Sequence, residues 1–209
     1  MALAFTGIAF TPAVKSRQIE GGSRSGYERF ELPEVEAGDT LGPSETAFIQ
    51  ARDGFYQATV SQKGWPYVQF RGGPSGFLRV LDDKTIAYAD FRGNRQYISS
   101  GNLCENNRVS LILMDYPNRS RLKIWARARQ IEAKEDPELI RRLQPDGYRA
   151  LPERAVVLTV EAFDWNCPAH IPQRLTMAEL APHLQPIHDR ISELEAENRK
   201  LTEKLAGFG

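Results

Sequence analysis

From residue 55 onward, short runs rich in β-branched and aromatic residues alternate with turn-forming clusters, the pattern of antiparallel β-structure. Phe55–Val60 is the first run, and Lys63-Gly64-Trp65-Pro66 turns the chain into Tyr67–Arg71. Phe77–Leu81 and Thr85–Ala89 follow, divided by Asp82-Asp83-Lys84, and Arg108–Met114 reads as a buried strand. In Leu122–Ile131, the residues Leu122, Ile124, Ala126 and Ala128 alternate with Lys123, Trp125, Arg127 and Arg129. That period of two puts the apolar set on one face and the basic set on the other. A short helix is expected over Asp136–Leu143 and a last strand over Ala155–Phe163. Roughly seven short strands with regular turn signals predict a mainly β protein, a small antiparallel barrel or sandwich with flanking helices.

The two ends follow other rules. Residues 1–43 are punctuated by Thr11-Pro12, Gly21-Gly22-Ser23 and Leu41-Gly42-Pro43 and show no sustained period. They read as an arm that packs along the body of the protein or along a second copy. Ser44 is read as the N-cap of a short helix whose apolar face is Ala47, Phe48 and Ala51. From Ile187 the tail is helical, and Ile191, Leu194, Asn198, Leu201 and Leu205 occupy positions a, d, a, d, a of a heptad. Asn at a central a position fixes register and favours a parallel two-stranded pairing. Two readings of the tail stand open: a helix paired with another chain, or an amphipathic helix lying on the barrel. The expected organisation is an arm at 1–43, a barrel at 44–166 and an extension at 167–209.

Charge and composition narrow the function classes. The chain has 209 residues, with 27 Lys+Arg against 27 Asp+Glu, so its formal net charge is zero. The simplest electrostatic case for nucleic-acid binding is thereby removed. No apolar stretch approaches the ~18 residues of a membrane span. The apolar start, Met1–Phe10, has no preceding basic residues and is broken by Thr6 and Gly7, so no secretory signal is expected. Cys104 and Cys167 lie far apart, which excludes a disulfide scaffold and points to a reducing cytoplasm. Cys167-Pro168-Ala169-His170 supplies two soft ligands where zinc sites use three or four, so a turn is expected there and no metal. His183 and His188 fall in the polar tail, and Cys104 reads as a small packing residue.

Three segments carry candidate chemistry. In Gln69-Phe70-Arg71-Gly72-Gly73-Pro74, a permanent cation stands beside glycines that let backbone approach a ligand closely. The plainer reading is a glycine-rich hairpin with a solvated Arg. In Asp90-Phe91-Arg92-Gly93-Asn94-Arg95-Gln96-Tyr97, directly after a strand and opening a helix, guanidinium forks and amide donors suit a phosphate. The alternative is an exposed basic turn, since neither the GxxxxGK[ST] loop nor the GxGxxG fingerprint is present. In Asp115–Arg127, the residues Arg121, Lys123, Trp125 and Arg127 share one strand face that suits an anionic planar ligand or merely solvent.

Taken together, the strings at Arg71–Phe77, Asp90–Tyr97 and Asp115–Ile124 resemble those of the pyridoxamine 5′-phosphate oxidase-like proteins, FMN-binding flavoproteins. The resemblance covers about Ser44 to Arg174. It implies a six- to seven-stranded antiparallel split β-barrel, forming a homodimer with FMN at the subunit interface. By that resemblance Gln69, Phe70, Arg71 and Gly72 lie along the isoalloxazine and ribityl chain. Asn94, Arg95 and Gln96, in the corner that Asp90 opens, grip the phosphate, with Arg71 as a second cation. Arg121 and Lys123 approach the flavin, and Trp165 and Arg174 match residues supplied by the other subunit. The chain departs from the oxidase proper in having Asn94-Arg95-Gln96 for a Ser-Arg-Lys triplet and in lacking its Arg-x-His pair. What the resemblance implies is therefore an FMN-dependent oxidoreductase with an unidentified small-molecule substrate, rather than a pyridoxamine phosphate oxidase. A flavin-binding or flavin-sensing protein that signals through its tail is the alternative, and a related barrel binding deazaflavin or haem is a third.

Overall fold

The computed structural model describes residues 2–31, 34–165 and 168–207. Two compact units are present: Met1–Asp115 with Ser120–Ala169, and Tyr116–Arg119 with His170–Gly209. In the first unit seven strands, β1 (Gly54–Val60), β2 (Pro66–Gly72), β3 (Arg79–Asp82), β4 (Thr85–Phe91), β5 (Arg108–Asp115), β6 (Ser120–Glu132) and β7 (Pro152–Trp165), form one antiparallel sheet. Their order is β2-β1-β5-β6-β7-β4-β3. The seven runs expected from the sequence are all strands, with β3 starting two residues later than expected and β7 longer at both ends.

Side-chain periodicity explains how the sheet closes. Along β6 Leu122, Ile124, Ala126 and Ala128 are buried while Arg127 and Arg129 are exposed. The inward set meets Phe55 and Leu111 from β1 and β5, Ile86 and Tyr88 from β4, and Leu158 from β7 in a single cluster. β2 and β4 stand at the first and sixth places of the strand order, yet Arg71 on β2 reaches Asp90 on β4 at 2.5 Å. A flat sheet does not bring these strands together; a sheet rolled around its core does. The barrel is thus split between β2 and β4, and that split holds the cleft described below.

The outer side of β4 is covered as well, so five successive residues of this strand are buried. Ala87 and Ala89 are small enough to admit helix α6 (Pro137–Leu143), which contributes Ile140 and Leu143 to a second cluster with Ala155 and Ile131. Asp136 caps α6 by accepting from the Leu139 N–H at 2.9 Å. The helix after β1 to β4 is α5 (Ile98–Glu105). Cys104, read from the sequence as a packing residue, is exposed on it.

The arm is helical, a feature its punctuation hid. It contains α1 (Ala4–Ala9), α2 (Pro12–Glu20) and α3 (Arg24–Glu28), each too short to show a period. Rings tie it together: Tyr27 contacts Phe10 and Phe30, Phe10 meets Phe5, and Phe5 stacks on Trp125 of β6 at 6.1 Å. The chain then docks on the barrel through Phe163 N–H to the Gly38 carbonyl and Leu41 N–H to the Asp83 carbonyl, both 2.7 Å. Helix α4 (Pro43–Gln50) starts one residue before Ser44. Its N-cap is Gly42, whose N–H donates to Glu45 at 2.9 Å, so Pro43 takes the first helical position.

The second unit holds α7 (Met177–Ala206), ten residues longer at its start than the sequence suggests. Thr176 and Glu179 form a reciprocal cap at 2.8 and 3.2 Å. The helix continues through Pro182 and Pro186, where the usual breaker rule expects it to stop. No helix is long and apolar enough to cross a membrane among the described residues.

Candidate functional site

The split of the barrel is a cleft of about 320 Å³ walled by β2, the segment joining β4 to α5, and the start of β7. Gln69, Phe70, Arg71 and Gly72 line one wall, and Asp90, Asn94, Arg95 and Gln96 line the other. Two separate sequence segments read as anion-binding therefore face one cavity. The strand end that carries Arg71 and the corner that carries Arg95 are brought together by the rolling of the sheet, not by proximity along the chain.

Charge pairing organises the floor. Asp90 accepts from Arg71 at 2.5 Å and from Arg154 at 3.3 Å, and Arg154 also donates to Glu132 at 3.0 Å. Burial pushes the Asp90 carboxyl above the ordinary carboxylate range, outweighing the two guanidinium groups that pull it down. Arg71 lies 5.8 Å over the ring of buried Tyr88, and its Nε is buried with no hydrogen-bond partner. A buried guanidinium nitrogen left unpaired carries a cost in stability.

The opposite corner is exposed and strained. Arg95 and Tyr97 have φ of 63° and 54°, in the left-handed region that a β-carbon disfavours. Asn94 holds the turn by accepting from the Gln96 N–H at 3.1 Å. Arg95 Nε donates to the Tyr97 hydroxyl at 3.2 Å, which in turn donates to Glu153 at 3.2 Å. Glu153 also accepts from Arg92 at 3.1 Å. Its burial raises the carboxyl, but the bonds from Arg92 and Tyr97 win and hold it below the ordinary range.

A β-bulge explains why Glu153 reaches this corner. Asp90 pairs with Arg154 but Phe91 pairs with Pro152, so Glu153 is the extra residue on β7. Bulges of this kind re-aim one side chain beside a site. Glu153 and Arg154 escaped the sequence reading because they lie some sixty residues from Asp90 in the chain. Only the β4–β7 register shows them. Ser99, buried at the start of α5, was missed too; its hydroxyl donates to Gln69 at 2.9 Å and orients that amide.

The glycines of the first segment also make room for the protein's own rings. A β-carbon on Gly72 would come within 2.8 Å of the Phe70 ring, and one on Gly73 within 2.8 Å of Phe77. The protein's own rings fill the space that the missing side chains leave.

Three expected site residues, Arg121, Lys123 and Trp165, stand outside this cleft. Arg121 and Lys123 lie on the outward face of β6, where Lys123 pairs with Asp164 at 3.1 Å and Arg121 Nε is buried without a partner. Trp165 ends β7, donates to Glu45 at 2.7 Å and meets Phe48 edge-on. Arg174 belongs to the second unit, with its guanidinium 4.9 Å over Tyr116. Trp125, on the basic face of β6, is stacked with Phe5 of the arm. Among the described residues no three His, Cys, Asp or Glu side chains converge as metal ligands, and Cys167 lies outside those residues.

Comparison with known proteins agrees with this architecture. The family pattern described as pyridoxamine 5′-phosphate oxidase matches residues 43–166, more than half of the chain. The crystal structure of a histidine-to-alanine variant of HupZ from group A Streptococcus is similar with a TM-score of 0.50 and 17% identity, over 60% of this chain and 99% of that one. An FMN-binding protein from Syntrophomonas wolfei aligns with a TM-score of 0.46 and 12% identity, over 74% of this chain and 95% of that one. No curated protein sequence matches the chain. The matched segment runs from the first residue of α4 to the end of β7, the whole rolled sheet with its cleft, and on that match the chain belongs to the pyridoxamine 5′-phosphate oxidase family.

Proposed function

We propose that the chain binds FMN in the cleft between β2 and the Asn94–Tyr97 corner and acts as an FMN-dependent oxidoreductase on a small organic substrate. The observation that carries this reading is the convergence of Arg71 from β2 with exposed Asn94, Arg95 and Gln96 on one cavity. A guanidinium and amide donors on a turn suit a phosphate dianion, which takes several charge-assisted bonds at once. In this reading Asn94, Arg95 and Gln96 hold the phosphate, Arg71 supplies the second cation, and Gln69–Gly72 run along the ring and ribityl chain. The cleft volume falls within the ~300–1,000 Å³ of ordinary ligand pockets. Of the two acids that line the cleft, Glu153 is paired with Arg92 and accepts from the Tyr97 hydroxyl, and Asp90 is paired with Arg71 and Arg154. Bound FMN supplies hydride or electron transfer, while the chain's residues supply position and electrostatics.

The working unit in this proposal is a homodimer. Tyr56 of β1 pairs with Phe70 on one side and Ile112 on the other, so these three share one outward face. Phe70 and Val68 are 58% and 60% exposed, and Tyr56 and Ile112 about two-fifths exposed, a contiguous apolar patch that a second copy would cover. The row continues to Lys123, opposite Ile112, and Arg121 lies two pairs further along, on the same face. Because Phe70 also lines the cleft, a copy packed on this face brings its own Arg121 and Lys123 toward the first copy's ring site.

Titrating purified protein with FMN tests the reading. Saturable quenching of flavin fluorescence is expected, followed by loss of the yellow colour on adding NAD(P)H or another donor under exclusion of air. Absence of FMN binding overturns the proposal. Binding with no reduction by any donor leaves a flavin-binding protein without turnover and overturns the oxidoreductase part.

A further inference from the structure

Helix α7 is more than a polar tail. Because it begins at Met177, the seam that Ile191–Leu205 defines continues upstream: Ile187, Leu184, Leu180 and Met177 stand at d, a, d and a. The a/d set is thus unbroken over the whole 30-residue helix, about 45 Å long. Both prolines fall off the seam, Pro182 at f and Pro186 at c, where a missing N–H leaves the paired face intact. No residue of α7 is buried, and Ile187, Ile191, Leu194 and Leu201 are each about half exposed. An amphipathic helix draws most of its stability from the packing of its apolar face, so this one requires a cover.

The shape of the stripe says what the cover is. A helix that lies on a globular body carries apolar residues at a, d and also e or g, a broad stripe. Here every e and g position except Ala181 is polar, among them Arg190, Glu195, Glu197 and Lys204. A strict two-in-seven seam matches another helix with the same repeat. Orientation follows from Asn198. In an antiparallel pair, a faces d, and every d residue of α7 is Leu or Ile, which leaves the amide unpaired. In a parallel pair in register, Asn198 faces Asn198. The same register sets Arg190 at g against Glu195 at e of the other helix. Arg190 at present holds only an exposed partner one turn away, Glu193 at 2.9 Å, and is free to exchange it.

We propose that α7 pairs with α7 of a second copy of this chain as a parallel, in-register, two-stranded coiled coil with Asn198 opposite Asn198. The proposal stands independently of the flavin reading. Its test uses the full chain carrying Cys104→Ser and Cys167→Ser. Leu201→Cys, at d, is expected to form an interchain disulfide under mild oxidation at least tenfold faster than Glu203→Cys at the outer f position. Equal rates, or no cross-link at Leu201→Cys, would overturn it, and either outcome follows if α7 lies on its own barrel or pairs antiparallel. A spin label on Glu203→Cys leaves the seam intact and gives a second readout. One narrow interspin distance is expected, and a broad distribution or none rejects the parallel register.

Discussion

Arg95 pays for its position in backbone strain, since φ of 63° on a residue with a β-carbon is held only where surroundings over-determine it. The Tyr97–Glu153–Arg92 chain of hydrogen bonds provides that hold. A charge-assisted bond to an anion is worth about 1.5–3 kcal/mol. Arg95→Ala is therefore expected to weaken FMN binding at least tenfold, measured by fluorescence titration, with little change in unfolding. Unchanged affinity would remove Arg95 from the phosphate site. At this scale the sequence was informative about residue type but not about partners. Asp90, Asn94 and Arg95 stand in one legible string, whereas the groups that lock them, Glu153 and Arg154, come from a distant strand.

Among the elements, the arm makes the most specific claim. Glu31, just after α3, accepts from Arg24 and then from Lys15, and these bonds lower its carboxyl from 4.5 to about 2. A carboxyl held below its unfolded value stabilises the fold fully above that value and loses its contribution as pH falls through the folded one. Wild type is thus expected to unfold at a higher temperature than Glu31→Gln at neutral pH. The difference should shrink as pH falls below 4.5 and be mostly lost by pH 2. A gap as large at pH 2 as at neutral pH would mean the ion pairs are not its cause. The helices of the arm were illegible because five to nine residues show too little period to be read, and rings such as Phe5 find Trp125 only across the fold. The opposite holds for α7, whose repeat was legible but whose start was hidden by Pro182 and Pro186.

For the molecule as a whole, the decisive event is the rolling of the sheet that joins β2 to β4. Those strands share no backbone ladder; Arg71 of β2 meets Asp90 of β4 there instead, and Arg154 of β7 joins the same carboxylate. Removing one partner of a buried pair typically costs about 3–5 kcal/mol, and Arg71 still faces Asp90 when Arg154 is lost. Arg154→Leu is accordingly expected to destabilise the protein by about 3 kcal/mol, seen as a lower midpoint in urea with an unchanged slope. An unshifted midpoint would show that Arg154 contributes nothing to stability through Asp90. Runs of β-branched and aromatic residues between turn signals, with a period of two in Leu122–Ile131, were enough to predict roughly seven strands, because these preferences are local properties of the chain. The strand order, the bulge that turns Glu153 into the cleft, and the meeting of Arg71 with the Arg95 corner were decided only by tertiary structure. Each depends on pairing between segments that the chain separates widely, and a local pattern carries no information about which distant strand supplies the partner.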